Sequence, residues 1–117
     1  MTKTFGVSLS SRFAGEYVEL QKRAEKGDGE AQYLLKIVDK GIAKLAQDPR
    51  AGKKIQKRIW PKEYVREYGI DNLWKLNLDS FWRMTYTVTG QKTEIISLFL
   101  EVLDHKKYDR RFGYKTS

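Results

Sequence analysis

Cysteine is absent from the 117 residues, which excludes disulfides, thiolate metal sites and cysteine nucleophiles. The chain contains one histidine, too few for the usual transition-metal cage. Long apolar runs are missing as well, because the longest, residues 95–100, is interrupted by Ser97 and falls far short of the roughly 18 residues of a membrane-spanning helix. We therefore expect a soluble, cytoplasmic protein without a metal or other cofactor and without a membrane partner.

The spacing of the apolar residues predicts one α+β domain over residues 1–117. A short strand near the N-terminus precedes two amphipathic helices, capped by Ser10 or Ser11 and by Asp28. A basic connector with a short helix after Pro61 follows. We expect the strand and the two-helix hairpin to pack on an antiparallel meander, with strands at 73–78, 81–88 and 93–103 and turns at Asp79-Ser80 and Thr89-Gly90.

Strand alternation in the meander predicts an apolar side under the helices and an uncovered polar side. Hairpin loops with an odd number of residues are needed to bring the apolar sides together, and they place Lys75 opposite Arg83. The apolar side is expected to hold Trp74, Leu76, Leu78, Trp82, Met84, Tyr86, Val88, Ile96, Leu98, Leu100 and Val102; the polar side is expected to hold Lys75, Asn77, Arg83, Thr85, Thr87, Ser97 and Glu101.

Positive charge is concentrated in two segments of a chain whose net charge is +8. Residues 50–68 hold seven Lys/Arg against two Glu, and residues 105–117 hold five against one Asp. Because phosphate neutralisation dominates nucleic-acid affinity, this layout favours a nucleic-acid partner. A basic surface that serves only solubility is the alternative.

Three groups of residues are candidates for chemistry. Lys75 and Arg83 can bind a phosphate, unless Asp79, Glu94 or Glu101 neutralises them. His105 is the natural proton carrier near neutral pH, although a histidine at a strand end is often only an exposed polar residue. Tyr108 either donates a proton or contacts RNA, or its ring caps the core.

Several short segments, in this order, resemble the RelE/ParE superfamily of bacterial and archaeal toxins. They are Leu45-Ala46-Gln47-Asp48-Pro49-Arg50-Ala51-Gly52-Lys53-Lys54-Ile55, Leu73-Trp74-Lys75-Leu76, Trp82-Arg83-Met84-Thr85-Tyr86 and His105-Lys106-Lys107-Tyr108. The chain departs from the family pattern in its longer connector, 60–72, and in its tail, 110–114.

The resemblance implies a type II toxin of the RelE kind, an mRNA endoribonuclease that acts on the ribosome and is silenced by a cognate antitoxin in a hetero-oligomer. It places catalytic roles on Arg83, His105, Tyr108 and Lys75, with the ribose 2′-hydroxyl as nucleophile and no metal ion. The family's additional lysines fall among Lys53, Lys54, Lys57 and Lys75. The RNA-binding cations are then Lys53, Lys54, Lys57, Arg58, Lys106, Lys107, Arg110 and Arg111.

Two other functions remain open from the sequence. A ParE-like protein inhibits DNA gyrase and performs no RNA chemistry. A non-catalytic RNA- or ribosome-binding module would use the same cations and would not need His105.

Overall fold

The computed structural model describes residues 4–90 and 93–113, which form a five-stranded sheet with helices on both faces. The strand order is β1-β5-β4-β3-β2, with β1 parallel to β5 and the other pairs antiparallel. The predicted α+β class, with the hairpin packed on a meander, is confirmed. The elements are β1 (Thr4–Leu9), α1 (Ser11–Glu25), α2 (Gly29–Gln47), β2 (Lys53–Lys54), α3 (Lys62–Tyr68), β3 (Trp74–Asn77), β4 (Trp82–Gly90), β5 (Glu94–Asp104) and α4 (His105–Arg111).

The helical hairpin forms where the local signals place it. The Ser10 hydroxyl accepts a hydrogen bond from the Phe13 amide at 3.1 Å, and the Asp28 carboxylate accepts one from the Ala31 amide at 3.2 Å. Gly27 joins the helices with a φ of 92°, a conformation that favours glycine. The hairpin-side core, between these helices and the sheet, contains Phe13, Val38, Leu45, Leu76, Met84, Tyr86 and Phe99.

The other sheet face is covered too, so the expected uncovered polar side is wrong. The connector, α3 and α4 pack on it and form the α4-side core of Ile55, Tyr64, Ile70, Leu73, Leu100, Leu103, Tyr108 and Phe112. This cover exists because His105–Arg111 form a helix, which buries Tyr108 and the Phe112 that follows it. Three residues that were expected on an exposed face are therefore buried: Thr85, Thr87 and Glu101. Ser97 is buried as well, but on the hairpin side, because it lies opposite Val7 and Val88.

A β-bulge changes the face assignment within β5. Thr85 lies opposite Glu101 but Tyr86 lies opposite Phe99, so Leu100 is an extra residue in the ladder. After the bulge, Val102 packs on the hairpin side as expected. Leu100 is part of the α4-side core, and Leu98, before the bulge, packs against that core. The expectation that Ile96, Leu98, Leu100 and Val102 share one face is therefore wrong.

The β3–β4 hairpin has the predicted odd loop, but with a different offset. Leu76 lies opposite Met84 as the pattern requires, while Lys75 lies opposite Thr85 and Arg83 opposite Asn77. The loop holds three residues, 79–81, because the Asp79 carboxylate accepts hydrogen bonds from the amides of residues 81 and 82 at 2.8 and 2.6 Å. Lys75 and Arg83 are thus diagonal neighbours on one face, and their predicted direct pairing is wrong.

The second predicted turn is also misplaced. Thr89 and Gly90 belong to β4 and pair with β5 residues. Residues 91 and 92, which follow them, lie outside the described residues.

Candidate active site

Two cations share one aromatic ring on the α4 side of the sheet. Lys75 in β3 and Arg83 in β4 place Nζ and Cζ, respectively, 5.2 Å from the centroid of the Tyr108 ring. The ring is 2% exposed and stacks on Phe112 at 4.4 Å between centroids. We call Lys75 and Arg83 the cationic pair; Tyr108 forms its floor.

The Arg83 guanidinium is under-satisfied. Its Nε and Nη1 atoms are buried and have no hydrogen-bond partner among the described residues. Leaving a buried donor unpaired costs on the order of 1–3 kcal/mol, so such a donor calls for an explanation, and a bound anion or water is one. A phosphate oxygen could accept a charge-assisted hydrogen bond from either nitrogen.

The carboxylates that could have neutralised the pair are used elsewhere. Asp79 accepts a hydrogen bond from the Tyr33 hydroxyl at 2.6 Å, and this bond, backbone amides and the charge of Arg83 together hold its pKa below the usual range. Glu101 accepts a hydrogen bond from Arg111 at 2.9 Å. Glu94 lies opposite Thr4 at the start of β5. The cationic pair is therefore open to an external anion.

β2 adds a third cation to this face. Lys53 lies directly opposite Lys75, and Lys54 lies opposite Trp74, so the two lysines of β2 face opposite sides of the sheet. Burial, Arg83 and Lys53 lower the pKa of Lys75, in that order of size, while Asp109 raises it. Of the lysines left open by the sequence, Lys53 joins Lys75 and Lys54 does not.

Gly52 permits β2 to approach the site. A Cβ atom at this position would lie 2.3 Å from the Lys75 carbonyl oxygen and 2.6 Å from the Tyr86 hydroxyl. The Gly52 amide instead donates to the Tyr86 hydroxyl at 3.1 Å, and that hydroxyl donates to the Pro49 carbonyl at 2.9 Å. A glycine is thus required here for close backbone packing, and it sets the position of Lys53.

His105 begins α4, one helical turn before Tyr108. Its Nδ1 atom lies 3.7 Å from Oδ2 of Asp109, and its ring centroid lies 6.1 Å from that of Phe81. The helix is capped by Asp104, which accepts a hydrogen bond from the Lys107 amide at 2.8 Å. The sequence analysis missed both α4 and Asp109, although an aspartate three residues before Lys107 is a helix-start signal.

The other predicted RNA-binding cations are spread over the surface. Lys57 and Arg58 are exposed on a 3₁₀ turn, Lys57–Ile59, and Lys106, Lys107 and Arg110 are exposed on α4. Arg111 differs from them, because it forms ion pairs with Glu63 and with the buried Glu101. Arg111 thereby links α4 to α3 and β5. The RNA contacts of all these cations stay predictions.

Among residues 4–90 and 93–113, no group of three His, Asp or Glu residues could hold a metal ion. Nor is any described helix both long and apolar enough to cross a bilayer.

Comparison with known proteins gives one informative match. No family model matches the chain, and no curated protein matches it. A solved structure described as a YoeB/ParE toxin from Agrobacterium tumefaciens matches with a TM-score of 0.56 and 12% identity, over 86% of this chain and 98% of that one. The chain has the fold of this YoeB/ParE toxin. The RelE-like architecture predicted from the sequence is confirmed, and in this YoeB/ParE toxin fold the cationic pair lies on the sheet face that α4 covers.

Proposed function

We propose that the protein is the toxin of a type II toxin–antitoxin system and acts as a cytoplasmic endoribonuclease on mRNA at the ribosome. The observation that carries the proposal is the pair of buried, unpartnered Arg83 nitrogens beside Lys75 on the Tyr108 ring. Such a site can bind an anion, and a scissile phosphate is one. The fold likeness to a YoeB/ParE toxin adds support of a separate kind.

The chemistry starts from the ribose 2′-hydroxyl, a nucleophile that RNA carries and DNA lacks. His105 takes the 2′-hydroxyl proton, the 2′-oxygen bonds to phosphorus, and the bond from phosphorus to the 5′-oxygen breaks. Lys75 gives a proton to the departing 5′-oxygen, a role that suits its lowered pKa. The products are a 2′,3′-cyclic phosphate and a 5′-hydroxyl, and none of these steps requires a metal ion.

Arg83 stabilises the charge that develops on the phosphoryl oxygens. The guanidinium carries a permanent positive charge and unpartnered donors at Nε and Nη1, so it can donate charge-assisted hydrogen bonds to a phosphoryl oxygen. Lys53 adds positive potential from the neighbouring strand. The buried Tyr108 ring holds the cations at fixed positions; proton transfer by its hydroxyl, which the resemblance implies, stays a prediction.

The proposed partners follow from the charge and from the fold. A net charge of +8 favours association with mRNA and ribosomal RNA. A toxin of this kind requires a cognate antitoxin, with which it would form a hetero-oligomer.

Controlled expression with mapping of transcript ends tests the proposal. We expect the wild-type chain to stop growth and to create new 5′-hydroxyl ends within coding regions, and Arg83→Ala to do neither. Arg66→Ala, an exposed arginine on α3, is the matched control and should behave as wild type. Growth inhibition with intact transcripts and inhibited DNA supercoiling would establish the gyrase function instead. Unchanged inhibition by His105→Ala, again with intact transcripts, would establish a binding module.

A further inference from the structure

A carboxylate that the proposed reaction does not use lies beside its base. The Oδ2 atom of Asp109 is 3.7 Å from Nδ1 of His105, four residues earlier on the same face of α4. The Asp109 side chain is 20% exposed and the His105 side chain 44% exposed, so the carboxylate is the more buried member of the pair. This is the arrangement in which a carboxylate orients a histidine base.

Asp109 also faces the rest of the site. It directly follows Tyr108, whose ring carries the cationic pair, and its negative charge raises the pKa of Lys75. Two carboxylates belong to the same helix end as His105: Asp104, which precedes it as the N-cap, and Asp109 one turn later. Of the two carboxylates, Asp104 accepts the Lys107 amide as the helix cap, whereas Asp109 is directed at the imidazole.

We propose that Asp109 is a positioning residue that holds His105 in the tautomer with its proton on Nδ1, leaving Nε2 free to accept the 2′-hydroxyl proton. The inference rests on the proposed function for its catalytic consequence only. The tautomer itself is a property of the free protein. A small side-chain rotation in the free protein shortens the 3.7 Å separation to hydrogen-bond length, and that bond fixes the tautomer before RNA binds.

The chain's single histidine makes the tautomer directly measurable. Long-range nitrogen–proton NMR of the ¹⁵N-labelled full chain, at a pH where the imidazole is neutral, shows which ring nitrogen carries the proton. We expect the Nδ1–H form in the wild type and a shift toward the Nε2–H form in Asp109→Ala. Lys106→Ala, at an exposed position on the same helix, is the control and should leave the tautomer unchanged.

Cleavage kinetics give the second readout. Asp109→Ala should lower the single-turnover rate by about tenfold or more. The loss should stay below the full contribution of a general base, which is roughly 100- to 10,000-fold. In a His105→Ala background the loss should be much smaller, because Asp109 acts mainly through the imidazole and only weakly through the charge of Lys75.

The two arms separate failure of this inference from failure of the proposed function. An Nε2–H imidazole in the wild type, or a tautomer that Asp109→Ala does not change, would overturn the role of Asp109 whether or not RNA is cut. Equal rate losses from Asp109→Ala with and without His105 would overturn it as well. The expected tautomer shift in a chain that cuts no RNA would uphold the pairing and refute the nuclease.

Discussion

The ammonium of Lys75 and the guanidinium of Arg83 lie at the same distance, 5.2 Å, from the centroid of one buried tyrosine ring. Two like charges on adjacent strands repel each other, and the electron-rich face of the ring compensates that repulsion beside the more distant carboxylates of Asp79 and Asp109. A ring attracts cations without occupying their hydrogen-bond donors. Tyr108 can therefore hold the pair together while leaving both residues free to bind an anion.

Replacement of Tyr108 distinguishes its ring from its hydroxyl. Tyr108→Phe keeps the ring under both cations, so we expect it to retain most of the cleavage activity. Tyr108→Leu fills the core without a π-face, and the loss of about 0.5–2 kcal/mol of cation–π attraction should lower the rate about 2- to 30-fold. Rates are compared after thermal unfolding shows that both variants are folded. A Phe variant as impaired as the Leu variant would assign the chemistry to the hydroxyl.

The pH dependence of cleavage should report the charge of Lys53. The proposed proton donor, Lys75, has a lowered pKa and therefore deprotonates at a lower pH than an ordinary lysine does. The cleavage rate should decline over that same pH range, because only the protonated form can donate. Lys53→Ala removes one repelling charge, raises the pKa of Lys75 and should move the alkaline decline to higher pH. Lys54→Ala alters the opposite sheet face and should leave the profile in place. The assignment of Lys75 would be refuted by a decline that neither variant moves or that both move equally.

Arg111 should matter for stability more than for RNA binding. It pairs with Glu101, whose side chain is 6% exposed, so Arg111→Met leaves a buried carboxylate uncompensated. We expect a loss of about 3 kcal/mol in the free energy of unfolding, measured with denaturant at neutral pH. Arg110→Met, at the exposed neighbouring position, should change it by less than about 0.5 kcal/mol. Equal stability of the two variants, with reduced RNA affinity only for Arg111→Met, would contradict this structural role.

The helical hairpin could be predicted because its determinants are local. Ser10, Gly27 and Asp28 act within a few residues of themselves, through caps and a left-handed turn. The bulge at Leu100 and the two-residue strand β2 depend on partners distant in sequence. Neither feature has a hydrophobic period that extends over enough residues to predict it, so neither was predicted from the sequence.

The candidate site was predictable by residue type but not by arrangement. Strand alternation correctly placed Lys75 and Arg83 on one face, whereas the loop offset decided that they are diagonal. Part of the cover over that face is α4, a helix of seven residues whose many charges hid the buried Tyr108 and the Phe112 that follows the helix. Asp109 gained a role only once that helix placed it one turn after His105.

The most direct test is single-turnover cleavage of mRNA on programmed ribosomes by the wild type and by Arg83→Ala, with circular dichroism to confirm that the variant is folded. Removal of one charge-stabilising donor from such a site should lower the rate by about 100- to 1000-fold, and the remaining products should still end in a 2′,3′-cyclic phosphate. A folded Arg83→Ala protein that cuts as fast as the wild type would contradict the account.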